Sequence, residues 1–167
     1  MKIIIGIVIV VLVSLGGFLL LQSDAPPVRD SIPSTVLIDH STGEEVIPSE
    51  LGGFLVVNSW ATWCPFCVQE VPDFVELQKE FKTISIVLVN RKEKDEKVEV
   101  FLEGRGVSLT DLVFLQDAKD NFYKSIGGFS MPETLFVKDG NVIFHKRGFM
   151  DLSEMRDLTN KLIDGTL

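Results

Sequence analysis

One stretch, "FLVVNSWATWCPFC" at residues 54–67, narrows the possible folds more than any other part of the chain, because an apolar, β-branched run ends directly in Cys64-x-x-Cys67. A short run of that composition reads as a buried strand, and the residues that follow, near 65–81, carry helical spacing. A strand feeding a helix at a cysteine pair puts Cys64 at the helix N-terminus. There, unpaired backbone N–H groups and the helix dipole favour negative charge. Both cysteines and both tryptophans of the chain fall within the eight residues "WATWCPFC".

Around this junction the chain alternates. "STVLID" and "EEVI" flank a Ser-Thr-Gly turn. "ISIVLV", a helix near 93–103, "LVFL" and a short helix near 118–126 follow the motif. In "TLFVKDGNVIFHKRG" the Asp139-Gly140 pair between two apolar runs predicts an antiparallel hairpin. The last helix opens with Asp151 and Glu154 at capping-box spacing, gathers Leu152, Met155, Leu158 and Leu162 on one face, and stops at Gly165. The mixture predicts an α/β class domain with one mixed sheet. The charged run "RKEKDEK", residues 91–97, reads as a solvated loop and helix start, and no internal repeat is evident.

Residues 3–21, "IIIGIVIVVLVSLGGFLLL", carry no charge. As a helix they would cover about 28 Å, against a hydrocarbon core of roughly 30 Å. A cleaved signal peptide usually has an apolar region of only about 7 to 15 residues. A cut after Ala25 would also leave Pro26 next, so the expectation is an uncleaved anchor. The domains read as a transmembrane anchor at 1–22, a proline-stiffened linker "SDAPPVRDSIP" at 23–33, and one domain at 34–167. Lys2 precedes the span and acidic residues follow it. The N-terminus is therefore expected in the cytoplasm, and the domain on the extracytoplasmic, periplasmic side of the cell membrane. A net charge of −8 argues against a nucleic-acid partner.

A domain of this size buries a core without disulfide staples, so the cysteines are not needed as scaffolding. A thiol whose pKa is lowered at a helix start can attack a disulfide, and a second thiol one turn on can resolve the mixed disulfide. Cys64 is then the attacking residue and Cys67 the shielded one. Structural zinc would need about four ligands, and here would have to recruit His40 and His145 from distant segments. Covalent haem attachment would need histidine where Val68 stands. A purely structural disulfide across so short a loop removes little chain entropy.

The motifs "VVNSWATWCPFC" with "QEVP", and "Y...GFSMPETLFVKDG", resemble those of the TlpA, ResA and CcmG type of membrane-anchored thioredoxin-like proteins, over about 130 residues from Pro33 onward. The resemblance implies a thioredoxin fold, with "DHSTGEEVIPSEL" as an added N-terminal β-hairpin. It implies Cys64 as nucleophile, Cys67 as resolving thiol and Pro132 as a cis-proline. The cis assignment rests on the resemblance alone, since only about 5% of X-Pro bonds in folded proteins are cis. Glu70 matches an acid that handles the proton of the inner thiol, while Trp63, Pro65, Phe66 and Met131 form the implied substrate-binding set. Asn58 stands where thioredoxins proper carry a buried Asp, and Pro72 is expected to bend the helix. Ser59 and the long "IGGFSMP" depart from the pattern and bear on the substrate groove.

The function so implied is reduction of protein disulfides, in a client such as apocytochrome c, by an anchored thiol-disulfide oxidoreductase supplied by a transmembrane thiol electron donor. It needs no cofactor and no metal. A disulfide-forming oxidase and a copper chaperone on the same fold are the alternatives, although copper chaperones space their cysteines by three and add a histidine. Charge bears on the direction. No lysine or arginine lies between Arg29 and Lys79, and the next charges after the motif are Glu70, Asp73 and Glu76. A weakly stabilised thiolate and a potential at or below about −200 mV follow. Lys138, Lys146 and Arg147 are the cations that folding could bring near the sulfur.

Overall fold

A computed structural model describes residues 30–167 of the chain. The expected anchor at 1–22 and most of the expected linker lie outside the described residues.

In chain order the elements are β1 (Leu37–Asp39), β2 (Glu45–Val46), a 3-10 turn (Pro48–Glu50), β3 (Phe54–Trp60), α1 (Cys67–Glu80), β4 (Ile84–Arg91), α2 (Asp95–Glu103), β5 (Val113–Asp117), α3 (Asn121–Ser125), β6 (Glu133–Lys138), β7 (Asn141–Arg147) and α4 (Leu152–Asp164). The strands form one sheet in the order β2-β1-β5-β4-β3-β6-β7. β3 pairs in parallel with β4 and β4 in parallel with β5, while β6, β7 and the β1–β2 hairpin join antiparallel. This is the mixed sheet, with an added N-terminal hairpin, that the thioredoxin-like motifs imply.

The central strands are mostly apolar because both of their faces are covered. Alternate residues go to opposite sides. Val56, Trp60, Ile86, Leu88 and Phe136 pack with Phe74 of α1 and with Met155 and Leu162 of α4. Leu55, Val57, Val87, Leu135 and Val137 pack on the other face with Phe122 and Tyr123 of α3. The β6–β7 turn has both Asp139 (φ 48°) and Gly140 (φ 80°) in the left-handed region, the twist that a two-residue hairpin requires. On α4 the Asp151 side chain accepts from the Glu154 N–H, and Gly165 closes the helix at φ 71°. Such a cap contributes about 1 kcal/mol.

One expectation changes. Ser31 bridges Asn141, the Ile32 N–H donates to the Gly140 carbonyl, and Ile32 is buried, so ordered structure reaches back into the segment read as linker. The apolar side chain of Ile32, set among prolines, has an edge strand to dock on. The helix α1 runs from Cys67 to Glu80 with Pro72 inside it. Pro72 falls in the second turn, where the carbonyl it leaves unpaired belongs to Val68.

Candidate active site

The carboxyl ends of the parallel strands β3 and β4 and the start of β6 meet at one end of the sheet, the usual place for a site in a parallel α/β arrangement. β3 ends at Trp60, whose indole is fully buried against Phe101 (ring centroids 5.6 Å apart) and Phe114 (6.5 Å). The chain then turns: the Cys64 N–H donates to the Ala61 carbonyl at 3.1 Å, and α1 begins at Cys67. Cys64 and Cys67 form a disulfide. The Cys67 N–H, first of the helix, donates to Cys64 Sγ at 3.2 Å. Cys64 is 5% exposed and Cys67 1%. Both sulfurs are shielded, and the helix-start hydrogen bond, more than the small difference in exposure, sets Cys64 apart as the sulfur able to carry charge. Trp63 and Phe66, in contrast, are more than half exposed.

Across from the pair, the Met131–Pro132 peptide is cis. The loop before it is held by Glu133, which is fully buried. Glu133 Oε1 accepts the Phe129 and Ser130 N–H groups at 2.7 and 2.8 Å, and His145 Nε2 donates to Oε2 at 2.7 Å. Burial alone would raise the Glu133 pKa, but these hydrogen bonds outweigh it and hold the carboxyl below the usual range. The long "IGGFSMP" segment has a packing reason. Gly128 lies against the Tyr123 ring, where a Cβ would come within 2.6 Å of three ring atoms, so only glycine lets the chain pass. The insertion ends by presenting Phe129, which is more than half exposed, at the site. Between these walls lies a cleft of about 360 Å³. Trp63, Cys64, Pro65 and Phe66 line one side, and Arg91, Tyr123, Phe129 and Met131 the other. The implied substrate-binding residues therefore share one cavity with the reactive sulfur.

Glu70, one turn beyond Cys67 on α1, is fully buried. Its Oε1 accepts the Met150 N–H at 2.7 Å, and Asn58 Nδ2 donates to its Oε2 at 3.3 Å and to Thr134 Oγ1 at 2.9 Å. Burial pushes the Glu70 carboxyl up to about 8, more than the two hydrogen bonds lower it. That value lies close to the ordinary thiol range of about 8.5. Asn58 thus acts as the carboxyl's partner in the place where a second buried acid would repel it.

The charged run at 91–97 is only partly the solvated segment expected from its composition. Arg91 turns into the cleft, its Nε and Nη2 donating to both carboxylate oxygens of Asp120 at 2.6 and 2.7 Å. Glu93 is buried and accepts the Thr62 N–H and hydroxyl, both at 2.6 Å, and Asn90 Nδ2 at 2.9 Å, while Lys97 pairs with it from the surface. Burial would raise the Glu93 pKa, yet these donors hold it low. The loop carrying the cysteines is therefore clamped to the end of β4. A run of seven residues, all charged, hides this inward pair. The usable signal is position, since Arg91 and Glu93 sit at the carboxyl end of a central parallel strand. The cations flagged in the sequence are accounted for by carboxylates or distance. Lys146 pairs with Glu154, Arg147 lies 3.7 Å from Glu133, and Lys138 pairs in register with Phe54 at the start of β3, the opposite end of that strand from the cysteines.

The Redoxin family description matches residues 27–162. A thiol:disulfide interchange protein DsbE of Haemophilus influenzae is 33% identical over 100 residues, 60% of this chain and 52% of that protein. The chain thus spans about half the length of that relative. The thiol-disulfide oxidoreductase ResA of Geobacillus kaustophilus is 31% identical over 124 residues, 72% of this chain and 70% of that protein. Among solved structures, StoA from Bacillus subtilis superposes with a TM-score of 0.64 at 21% identity, covering 77% of this chain and 98% of StoA, which speaks for the fold.

Proposed function

We propose that this chain, which belongs to the Redoxin family and is a thiol-disulfide oxidoreductase, reduces protein disulfides through Cys64 and Cys67 from an anchored position outside the cytoplasm. The observation that carries the reading is the helix-start N–H directed at Cys64 Sγ, beside a cleft that also holds the cis-proline loop.

The exchange starts from the dithiol. The Cys64 thiolate attacks one sulfur of a client disulfide, the client S–S bond breaks, and the departing client sulfur takes a proton. A mixed disulfide now joins Cys64 to the client. The Cys67 thiol loses its proton to the minor ionised form of Glu70, and its sulfur attacks Cys64 Sγ. The second client sulfur leaves and is protonated, and the Cys64–Cys67 disulfide of this structure forms. Two electrons pass from the enzyme's dithiol to the client. Trp63, Pro65, Phe66 and Met131 border the client chain while this occurs.

The reducing direction is supported by charge. Arg91 is the cation in the cleft, and the bidentate Asp120 carboxylate cancels it. Cys64 then has the helix N-terminus but no net positive neighbour in the cleft, and its thiolate is only modestly stabilised. An extracytoplasmic reductant must be recharged, so a transmembrane thiol donor is part of the proposal. Apocytochrome c or another envelope protein is the proposed client, on the resemblance to the TlpA, ResA and CcmG type. The apolar residues 3–21 support the anchor. Trapping tests the assignment. Cys67→Ser should accumulate mixed disulfides with client proteins through Cys64, while Cys64→Ser accumulates few. Equal trapping by the two variants would sink it.

A further inference from the structure

We propose that Arg91 is a substrate-binding residue, donating a hydrogen bond from Nη1 to a main-chain carbonyl oxygen of the client polypeptide beside its attacked cysteine. The inference rests on the disulfide-exchange reading above.

A guanidinium carries five N–H donors in a fixed plane. Here that plane is pinned on two sides. Nε and Nη2 engage the two oxygens of Asp120, and the Tyr123 ring lies against the group with its centroid 3.4 Å from Cζ. Asp120 does this from φ 63°, a left-handed conformation uncommon for a residue with a side chain, in the turn leading into α3. Among the described residues the remaining corner, Nη1, reaches only the Met131 thioether, at 2.7 Å. Sulfur of that kind is a weak acceptor. A charged donor with its side chain 16% exposed, fixed at the wall of a cleft and matched with so poor a partner, gains most from a carbonyl oxygen that enters beside it.

Tying β4 to α3 needs only the two Asp120 contacts, which leave Nη1 unused. Its position is set instead toward Met131, the residue ahead of the cis-proline, and toward the cavity that holds Cys64. The acceptor is assigned to the main chain because Asp120 already neutralises the guanidinium and the whole chain carries −8, which gives a client carboxylate no electrostatic advantage. A carbonyl is also the acceptor that every disulfide-bearing polypeptide offers.

The test uses the full chain and compares three disulfides: a short cystine-bridged peptide with neutral flanking residues, the same peptide with aspartates beside the cysteines, and hydroxyethyl disulfide, which has no peptide groups. The readout is the ratio of second-order rate constants, peptide over hydroxyethyl disulfide. Arg91→Met keeps the apolar stem and removes the donors. It should lower the ratio about tenfold, the size of one hydrogen bond to a charged donor, and equally for both peptides. An unchanged ratio overturns the proposal, as does a fall confined to the acidic peptide, which would make Arg91 a carboxylate reader. A wild-type protein that reduces none of the three disulfides would instead reject the underlying function. Should the variant not fold, the structure of Cys67→Ser trapped with the neutral peptide decides. Nη1 within hydrogen-bond distance of a peptide carbonyl is expected, and Nη1 still on Met131 alone refutes it.

Discussion

Replacing Glu70 with glutamine should reshape how stability depends on pH. Glu70 is fully buried and its carboxyl is pushed from 4.5 to about 8, chiefly by burial. Because the folded-state value lies above the unfolded one, the sign is set. Below pH 4.5 the group is protonated in both states and contributes nothing to the slope. Between 4.5 and about 8 unfolding releases a proton, so stability falls as pH rises, by up to about 1.4 kcal/mol per pH unit. Above about 8 the group is ionised in both states and the slope ends. The accumulated loss is about 3 kcal/mol at pH 7 and roughly 5 kcal/mol in full. Glu70→Gln copies the protonated acid. Its carboxamide oxygen can still accept the Met150 N–H, and Asn58, whose amide faces it, can turn to present its oxygen. Urea unfolding of the oxidised protein at pH 5, 6, 7 and 8 measures the effect. The variant should gain on wild type by about 1.4 kcal/mol per unit between pH 5 and 7. Parallel curves, with the same difference at pH 5 and pH 8, would refute the idea that Glu70 is held neutral by burial.

Glu93→Ala should cost about 3 kcal/mol of stability near neutral pH, because it strands the Thr62 N–H and the Asn90 amide where a buried carboxylate had satisfied both. The shift in urea midpoint checks it, and a loss below about 1 kcal/mol would mean that water replaces the carboxylate. Glu93 is held low, so its contribution is present above the ordinary carboxylate range and disappears as pH falls through the folded-state value. The proposed anchor carries a separate prediction: the mature protein should keep Met1 or Lys2 and stay in the membrane after a carbonate wash. A soluble protein beginning near Pro26 would contradict it.

The parts of this molecule legible in its sequence are those written in local pattern. The strand-to-helix junction at Cys64, the Asp139-Gly140 turn and the Asp151 and Gly165 caps each depend on a few adjacent residues, and each is found where the pattern puts it. Glu70 was legible only by likeness to a family, since an acid on an amphipathic helix ordinarily faces water; its burial is accompanied by a hydrogen bond from Met150, in the segment leading into α4. Arg91, Glu93 and Asp120 were not legible as site residues. Their roles come from contacts across 29 and 31 residues of chain, Arg91 with Asp120 and Thr62 with Glu93. A charge-rich run reads as solvated unless the strand before it is known to end at the site. Ile32 was hidden for the opposite reason, one apolar residue among prolines and polar groups that finds an edge strand only in the folded sheet.

The reduction potential of the Cys64–Cys67 couple tests the central claim most directly, because it reports whether this environment favours the disulfide or the dithiol. Arg91, Lys146 and Arg147 are each set against a carboxylate, and the helix start acts on Cys64 without a net positive neighbour in the cleft. Equilibration of the protein against glutathione buffers, with the oxidised fraction read by thiol alkylation, should return a value at or below about −200 mV, on the thioredoxin side of the known range. A value near about −120 mV, where the reduced form is strongly stabilised and the protein would donate disulfides, would contradict the account and make this an oxidase.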